Sequence, residues 1–171
     1  LNGVALKVNA QCSHMQHPTL GHVMTEEVIR KDMEILKQFG FNAVRTSHYP
    51  PVNRYLELAD EYGLFVIDET GDEAHATEYV CGLKEFTEMY RERVRRMVLR
   101  DRNYPCVLFW SAGNESGEGF LIGSGLVVDD DVVLLQTVSH IGAGAVTDGH
   151  DDLVGLGVVV GGIALDVQAF G

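Results

Sequence analysis

From Leu121 to Gly171 the sequence contains no lysine, arginine, glutamate or proline. Helices of ordinary globular domains carry both signs of charge, so this absence excludes a solvated, ion-pair-laced helical layer from that stretch. Cysteine is scarce throughout: Cys12, Cys81 and Cys106 are three in number and form no CxxC pair, which excludes a disulfide framework. No uninterrupted apolar run is long enough to span a bilayer, so no transmembrane helix is expected. The Leu1-Asn2-Gly3 start lacks a charged n-region followed by an apolar stretch. No signal peptide is therefore expected; the start reads like the interior of a longer chain, and the compartment is expected to be cytoplasmic or periplasmic. Positive charge is in short supply, with 13 Lys and Arg against 25 Asp and Glu and a net charge of −12. That balance argues against nucleic acid or an anionic membrane as the main partner.

Residues 1–120 alternate strand-like and helix-like patterns. Ala5–Cys12 includes a short extended run. Thr25–Phe39 places Ile29, Met33, Leu36 and Phe39 at helical spacing, with Glu26 and Glu27 in the first turn and Gly40 at the stop. Asn42–Thr46 reads as a strand, after which Pro50-Pro51 opens a second helix over Val52–Tyr62, ended by Gly63. Leu64–Ile67 is a continuous apolar run, as a strand buried on both faces requires. A third helix is expected over Glu85–Arg100, with Phe86, Tyr90, Val94 and Met97 as its apolar stripe, and a fourth strand over Cys106–Trp110. Repeated βα units favour a parallel sheet. No Gly-rich phosphate loop follows the first strand, which disfavours a dinucleotide-binding sheet.

Reactive side chains fall after successive strands: His14; Arg45 and His48; Asp68, Glu69, Glu73 and His75; then Asn114 and Glu115. The carboxyl ends of the strands of a (β/α)₈ barrel build one shared face, so this pattern points to a barrel. The expected fold is α/β, the N-terminal half of a (β/α)₈ TIM barrel made of about four βα units, over residues 1–120. Residues 121–171 form a Gly/Val/Asp-rich tail. Leu126–Leu135 and Leu153–Val160 are its candidate strands, and its lone histidines, His140 and His150, have no metal-ligand spacing.

The strongest local signal is Trp110-Ser111-Ala112-Gly113-Asn114-Glu115-Ser116. A glutamate in a partly dry pocket at a strand end retains its proton and can protonate a leaving oxygen, while an adjacent asparagine can bind a sugar hydroxyl. The same residues also suit a helix N-terminus, where they only cap. Glu73-Ala74-His75, with Glu115, offers oxygen and nitrogen ligands for a partly hydrated Mg²⁺, but the spacing alone favours a solvated acidic loop with an incidental histidine. Arg45 is expected to anchor either Glu115 or Glu69 in a buried ion pair.

Residues 1 to about 119 resemble the catalytic barrel of glycoside hydrolase family 2, specifically the bacterial β-galactosidases. The resemblance rests on Leu1-Asn2-Gly3, His14 with His17-Pro18, Met24 through Glu27 and Phe41 through Pro50. It continues through Asp60 to Leu64, Arg100 to Asn103 and Trp110 to Ser116. It implies that Glu115 is the acid/base, that Asn114 binds the sugar 2-hydroxyl, and that His14, His48 and Arg45 belong to the substrate site. It also implies Glu73, His75 and Glu115 as Mg²⁺ ligands, and retaining hydrolysis of a terminal β-D-galactoside or related oligosaccharide. The chain departs from the family pattern at Cys12-Ser13, Met15-Gln16 and Thr70-Gly71-Asp72. The family's nucleophilic glutamate lies on a later strand, and residues 121–171 contain no glutamate. This chain alone is therefore expected to be inactive; the alternative is a non-catalytic sugar- or metal-binding half-barrel or complementation subunit, and the expected protein partner is a second copy in a homo-oligomer or a complementing barrel half. The break in composition after Gly119 reads as a frameshifted or spliced-on tail, or as a different C-terminal segment.

Overall fold

The computed structural model describes residues 1–116 together with the backbone of two short strands at 134–135 and 165–166. In chain order the elements are β1 (Lys7–Val8), β2 (Ala10–Ser13), α1 (Glu26–Gln38), β3 (Ala43–Thr46), α2 (Asn53–Tyr62) and β4 (Phe65–Glu69). Two short 3₁₀ turns (Glu78–Gly82 and Lys84–Phe86) lead into α3 (Thr87–Asp101), followed by β5 (Val107–Ser111), β6 (Leu134–Leu135) and β7 (Leu165–Asp166). Strands β2-β3-β4-β5-β6 form one parallel sheet in that order, while β1 pairs antiparallel with β7. Consecutive parallel strands joined by helices make this part of a TIM barrel. Within the tail, Leu134–Leu135 adds to the β5 edge. The boundary near Phe120, the run Leu153–Val160, His140 and His150 lie outside the described residues.

Each helix begins and ends where its chemistry dictates. The Thr25 side chain caps α1 by accepting the Val28 N–H, and Gly40 turns the chain away at φ 76°. Ile29, Met33 and Leu36 are buried as the spacing predicts, but Phe39 is 75% exposed. The helix stops before Phe39, so that side chain leaves the stripe. α2 closes at Gly63 in the left-handed conformation (φ 62°) and buries Tyr55, Leu56, Leu58 and Ala59. The third helix starts two residues later than the periodicity predicts, because Lys84–Phe86 is a 3₁₀ turn. Its outer face is paired as expected, Glu88 with Arg91 and Glu92 with both Arg95 and Arg96.

Alternation along the strands separates two faces. Val44 and Val66 pack with Ile29, Met33, Tyr55 and Leu56 under the helices. On the other face Ala43, Phe65 and Phe109 gather around Val8 and Leu6. The same alternation turns Arg45, Glu69 and Ser111 inward, and these three are buried. Asp68 and Trp110 turn outward toward α3, where Trp110 packs on Val94, Met97 and Val98.

Asp68 meets Asp101 of α3, and both are fully buried. Arg100 donates to both Asp101 oxygens at 2.6 Å, while Thr46 Oγ1 donates to Asp68 at 3.4 Å. Burial first, and then the Asp101 carboxylate, push Asp68 up to about 9 from its ordinary 3.8. The folded chain therefore holds a proton between these values that the unfolded chain has released. More protons bound in the folded state means that stability falls as pH rises from about 4 to about 9. Asp68→Asn keeps a donor toward Asp101 but removes the titration. Its urea midpoint is expected to fall less than that of the parent between pH 5 and pH 8.5; equal slopes would remove Asp68 as the cause. Among the described residues no helix is long and apolar enough to cross a membrane.

Candidate active site

The strand ends β2 to β5 deliver their polar groups to one face, and a buried glutamate organises them. Glu69, the last residue of β4, is 0% exposed. Its Oε2 accepts from Arg45 Nε at 2.6 Å and from Ser111 Oγ at 2.7 Å; its Oε1 faces His48 Nδ1 at 2.7 Å. All three partners reach it because Arg45, Glu69 and Ser111 share the inward face of adjacent strands, and His48 follows β3 directly. A carboxylate this deep is tolerable only with such donors, and an arginine is tolerable beside it for the same reason.

Arg45 extends the network. Its Nη2 donates to Asn114 Oδ1 at 2.9 Å, which leaves the amide nitrogen of Asn114 to donate to Glu73 Oε2 at 2.8 Å. These bonds fix which way the Asn114 amide points. His48 Nε2 lies 3.5 Å from the same Glu73 oxygen. His14 stands edge-on to His48, with ring centroids 5.2 Å apart, and Tyr49 lies beside it. Burial, followed by the neighbouring His48, holds the His14 imidazole below its usual value.

The loops after β4 and β5 are zipped together. Asn114 N–H donates to Asp72 O at 2.8 Å, and Ala74 N–H donates to Asn114 O at 3.2 Å. Gly113 allows this approach: a Cβ there would lie 2.7 Å from Asp72 O and 2.6 Å from Ser116 Oγ. Burial pushes the Asp72 carboxyl up to about 6. The next residue, Glu115, has φ 50°, a left-handed conformation that costs a non-glycine residue on the order of 1–2 kcal/mol. This turn directs Glu115 to the side of the loop where His75 Nδ1 meets its Oε2.

Arg45, His48, Glu73 and Asn114 thus form one hydrogen-bonded network with His14 at its edge, while His75 and Glu115 pair beside it. Of the two partners the sequence left open for Arg45, the structure has Glu69. Two contributors, Ser111 and Glu78, are not legible in the sequence. Glu69 is legible as a candidate partner of Arg45, but not its contacts with Ser111 and His48. Ser111 looked like the plain end of an apolar run. Glu78 sits on a 3₁₀ turn, which leaves no periodic signature. Ligand atoms of His75, Glu78 and Glu115 lie within 4.8 Å of one another, an oxygen-and-nitrogen donor set suited to a hard divalent cation. Glu73 stands outside that group; its oxygens take the Asn114 amide and the His75 N–H.

Comparison with known proteins identifies the family and the fold. The family model for the TIM barrel domain of glycosyl hydrolases family 2 matches residues 1–125. The chain is 48% identical to the β-galactosidase of Vibrio cholerae over 122 residues, covering 70% of this chain and 12% of that protein. It is 47% identical to the β-galactosidase of Lactococcus lactis over the same length and shares. A solved family 2 glycosyl hydrolase from Bacteroides cellulosilyticus superposes with a TM-score of 0.66 at 30% identity, covering 82% of this chain and 20% of that one. A Ruminococcus gnavus β-glucuronidase gives 0.60 at 29% identity, over 64% and 19%. The chain therefore spans only about an eighth of the curated relatives it matches. On the strength of both the matched residues and the shared barrel strands, this chain belongs to glycosyl hydrolases family 2 and carries part of its TIM barrel domain.

Proposed function

We propose that this chain supplies the acid/base half of a retaining β-glycosidase site that hydrolyses terminal β-D-galactosides once the barrel is complete. The observation that carries the reading is the Asn114-Glu115 turn at the end of β5, where Asn114 is oriented by Arg45 and Glu73. Glu115 is the proton donor to the leaving oxygen and later the base toward water. Asn114 binds the hydroxyl beside the reacting carbon, and His14, His48 and Arg45 shape the sugar site. The galactose preference is supported by the bacterial β-galactosidases at 47–48% identity.

Mg²⁺ is the proposed metal. His75 and Glu115 are its ligands, with Glu73 as the third on the family resemblance and Glu78 the carboxylate grouped with them. A divalent cation there supplies positive charge that holds this acidic loop and the Glu115 carboxyl in place.

A retaining mechanism needs a second carboxyl roughly 5 Å from the first, supplied in this family by a later strand. Turnover of a nitrophenyl β-D-galactoside is therefore expected only when this chain is combined with the C-terminal barrel portion of a β-galactosidase such as the Vibrio cholerae relative. The product should form with retained anomeric configuration, read by proton NMR. Turnover by this chain alone, or inversion, would refute the assignment. Sugar-dependent stabilisation without turnover in the combined barrel would favour a binding half-barrel instead.

A further inference from the structure

Away from the strand-end network, a cavity of about 320 Å³ opens between α3 and the turn that follows β4. Arg93, Arg96 and Arg100 lie on one side of it, at spacings of three and four residues that place them on one helix face. Thr70 and Gly71 face them, and among the described residues no acidic one lines the space. The three cations are not equally free. Arg100 is neutralised by Asp101 and also donates to Pro51 O at 2.9 Å. Arg96 shares a single exposed carboxylate, that of Glu92, with Arg95. Arg93 is in no ion pair among the described residues; its Nη1 donates to Gly71 O at 2.5 Å. Asp72 tempers Arg93 electrostatically but is not part of the lining. Thr70 is only 2% exposed, yet its hydroxyl has no hydrogen-bond partner among the described residues. A buried hydroxyl without a partner is a deficit that proteins ordinarily repair.

We infer that the Arg93–Arg96–Arg100 face of α3 and the Thr70–Gly71 turn form a binding site for a phosphate-type dianion, either inorganic phosphate or a phosphomonoester. Guanidinium forks match tetrahedral oxyanions with paired N–H donors, and a threonine hydroxyl adds a neutral donor. The volume is at the small end of ligand pockets and leaves room for an ester substituent. The site also touches the reactive face. Gly71 and Asp72 lead directly into Glu73, and Asp72 O holds the Asn114 backbone. An anion that draws Arg93 away from Gly71 O therefore acts on the loop that orients Asn114, which makes the site a control point as well as a binding site.

The test uses the full chain and reads no turnover, so it stands apart from the glycosidase assignment. Inorganic phosphate and glycerol 3-phosphate are titrated by calorimetry and by thermal melting, with sodium chloride holding ionic strength constant. Saturable binding is expected for phosphate, and binding of the ester as well identifies an open site. Arg93→Gln with Arg96→Gln should weaken binding by at least about tenfold, since two charge-assisted donors are lost. Arg91→Gln with Arg95→Gln removes the same charge from the same helix outside the cavity and should leave binding within about twofold. All four arginines are exposed, and circular dichroism checks that each variant keeps its helices. The inference fails if phosphate binds no better than chloride, or if the two double variants weaken binding equally.

Discussion

Glu69→Ala is expected to destabilise the chain by about 3–5 kcal/mol, the cost of leaving a buried charge without its counter-ion. Arg45 is the group left behind: it is 4% exposed, and Glu69 is its 2.6 Å partner at Nε. Two further donors, Ser111 Oγ and His48 Nδ1, lose the Glu69 acceptor at the same time, though Ser111 Oγ keeps Gly113 O at 3.4 Å. Domains of this size have roughly 5–15 kcal/mol in hand, so the loss is a large fraction of the total. Glu69→Gln should cost less, about 1–3 kcal/mol, because its amide oxygen still accepts from Arg45 and the hydrogen bonds change rather than vanish. Its amide nitrogen, set toward His48, turns that ring's Nδ1 into an acceptor and sends the ring proton to Nε2, 3.5 Å from Glu73. Nitrogen NMR of His48 reads this tautomer change, which loosened packing alone does not produce. Glu69→Leu combined with Arg45→Met should recover much of the loss, since an apolar pair of similar volume replaces a buried ion pair at little cost. Urea unfolding of the parent and the three variants reads these differences. A Glu69→Ala chain within 1 kcal/mol of the parent would show that Arg45 has other adequate partners.

The order and type of elements were legible because each has a strong local signature. Thr25 and Gly40 bracket α1, Pro51 and Gly63 bracket α2, and the Leu64–Ile67 run has no polar interruption before Asp68. What local pattern cannot carry is pairing across strands. The choice of Glu69 over Glu115 as the Arg45 partner depends on the β3–β4 register, Arg45 beside Ile67, and on the left-handed turn that carries Glu115 away. Glu78 joins His75 and Glu115 only through the compact 3₁₀ turn, where sequence periodicity is silent. Phe39 illustrates the opposite error. Periodicity includes it in the α1 stripe, but the helix ends one residue earlier and the ring faces water. The β1 strand and its antiparallel partner in the tail, Leu165–Asp166, are two residues long each, too short to leave a period.

In the completed barrel, Glu115→Gln is expected to lower kcat/KM by about 10²–10⁴-fold, the contribution of a positioned general acid. The size of the loss should depend on the leaving group, and that dependence separates an acid from a residue that only shapes the site. A nitrophenolate departs without a proton, so bond cleavage on a nitrophenyl galactoside should be close to the parent rate. An alkyl or sugar alkoxide needs the proton, so a galactosyl disaccharide should show the full loss. The second step exposes the other role of the same residue. Water must lose a proton to attack the glycosyl-enzyme, and glutamine cannot take it, so the intermediate should accumulate with the nitrophenyl substrate and give a burst. Azide needs no deprotonation and should restore turnover, with a galactosyl azide as product. Asn114 is positioned by Arg45 and Glu73 rather than by Glu115, so sugar binding should survive the substitution and KM for the disaccharide should change little. Equal losses on both leaving groups, with no burst and no azide rescue, would remove Glu115 from the acid/base role and leave it as a ligand of the acidic loop.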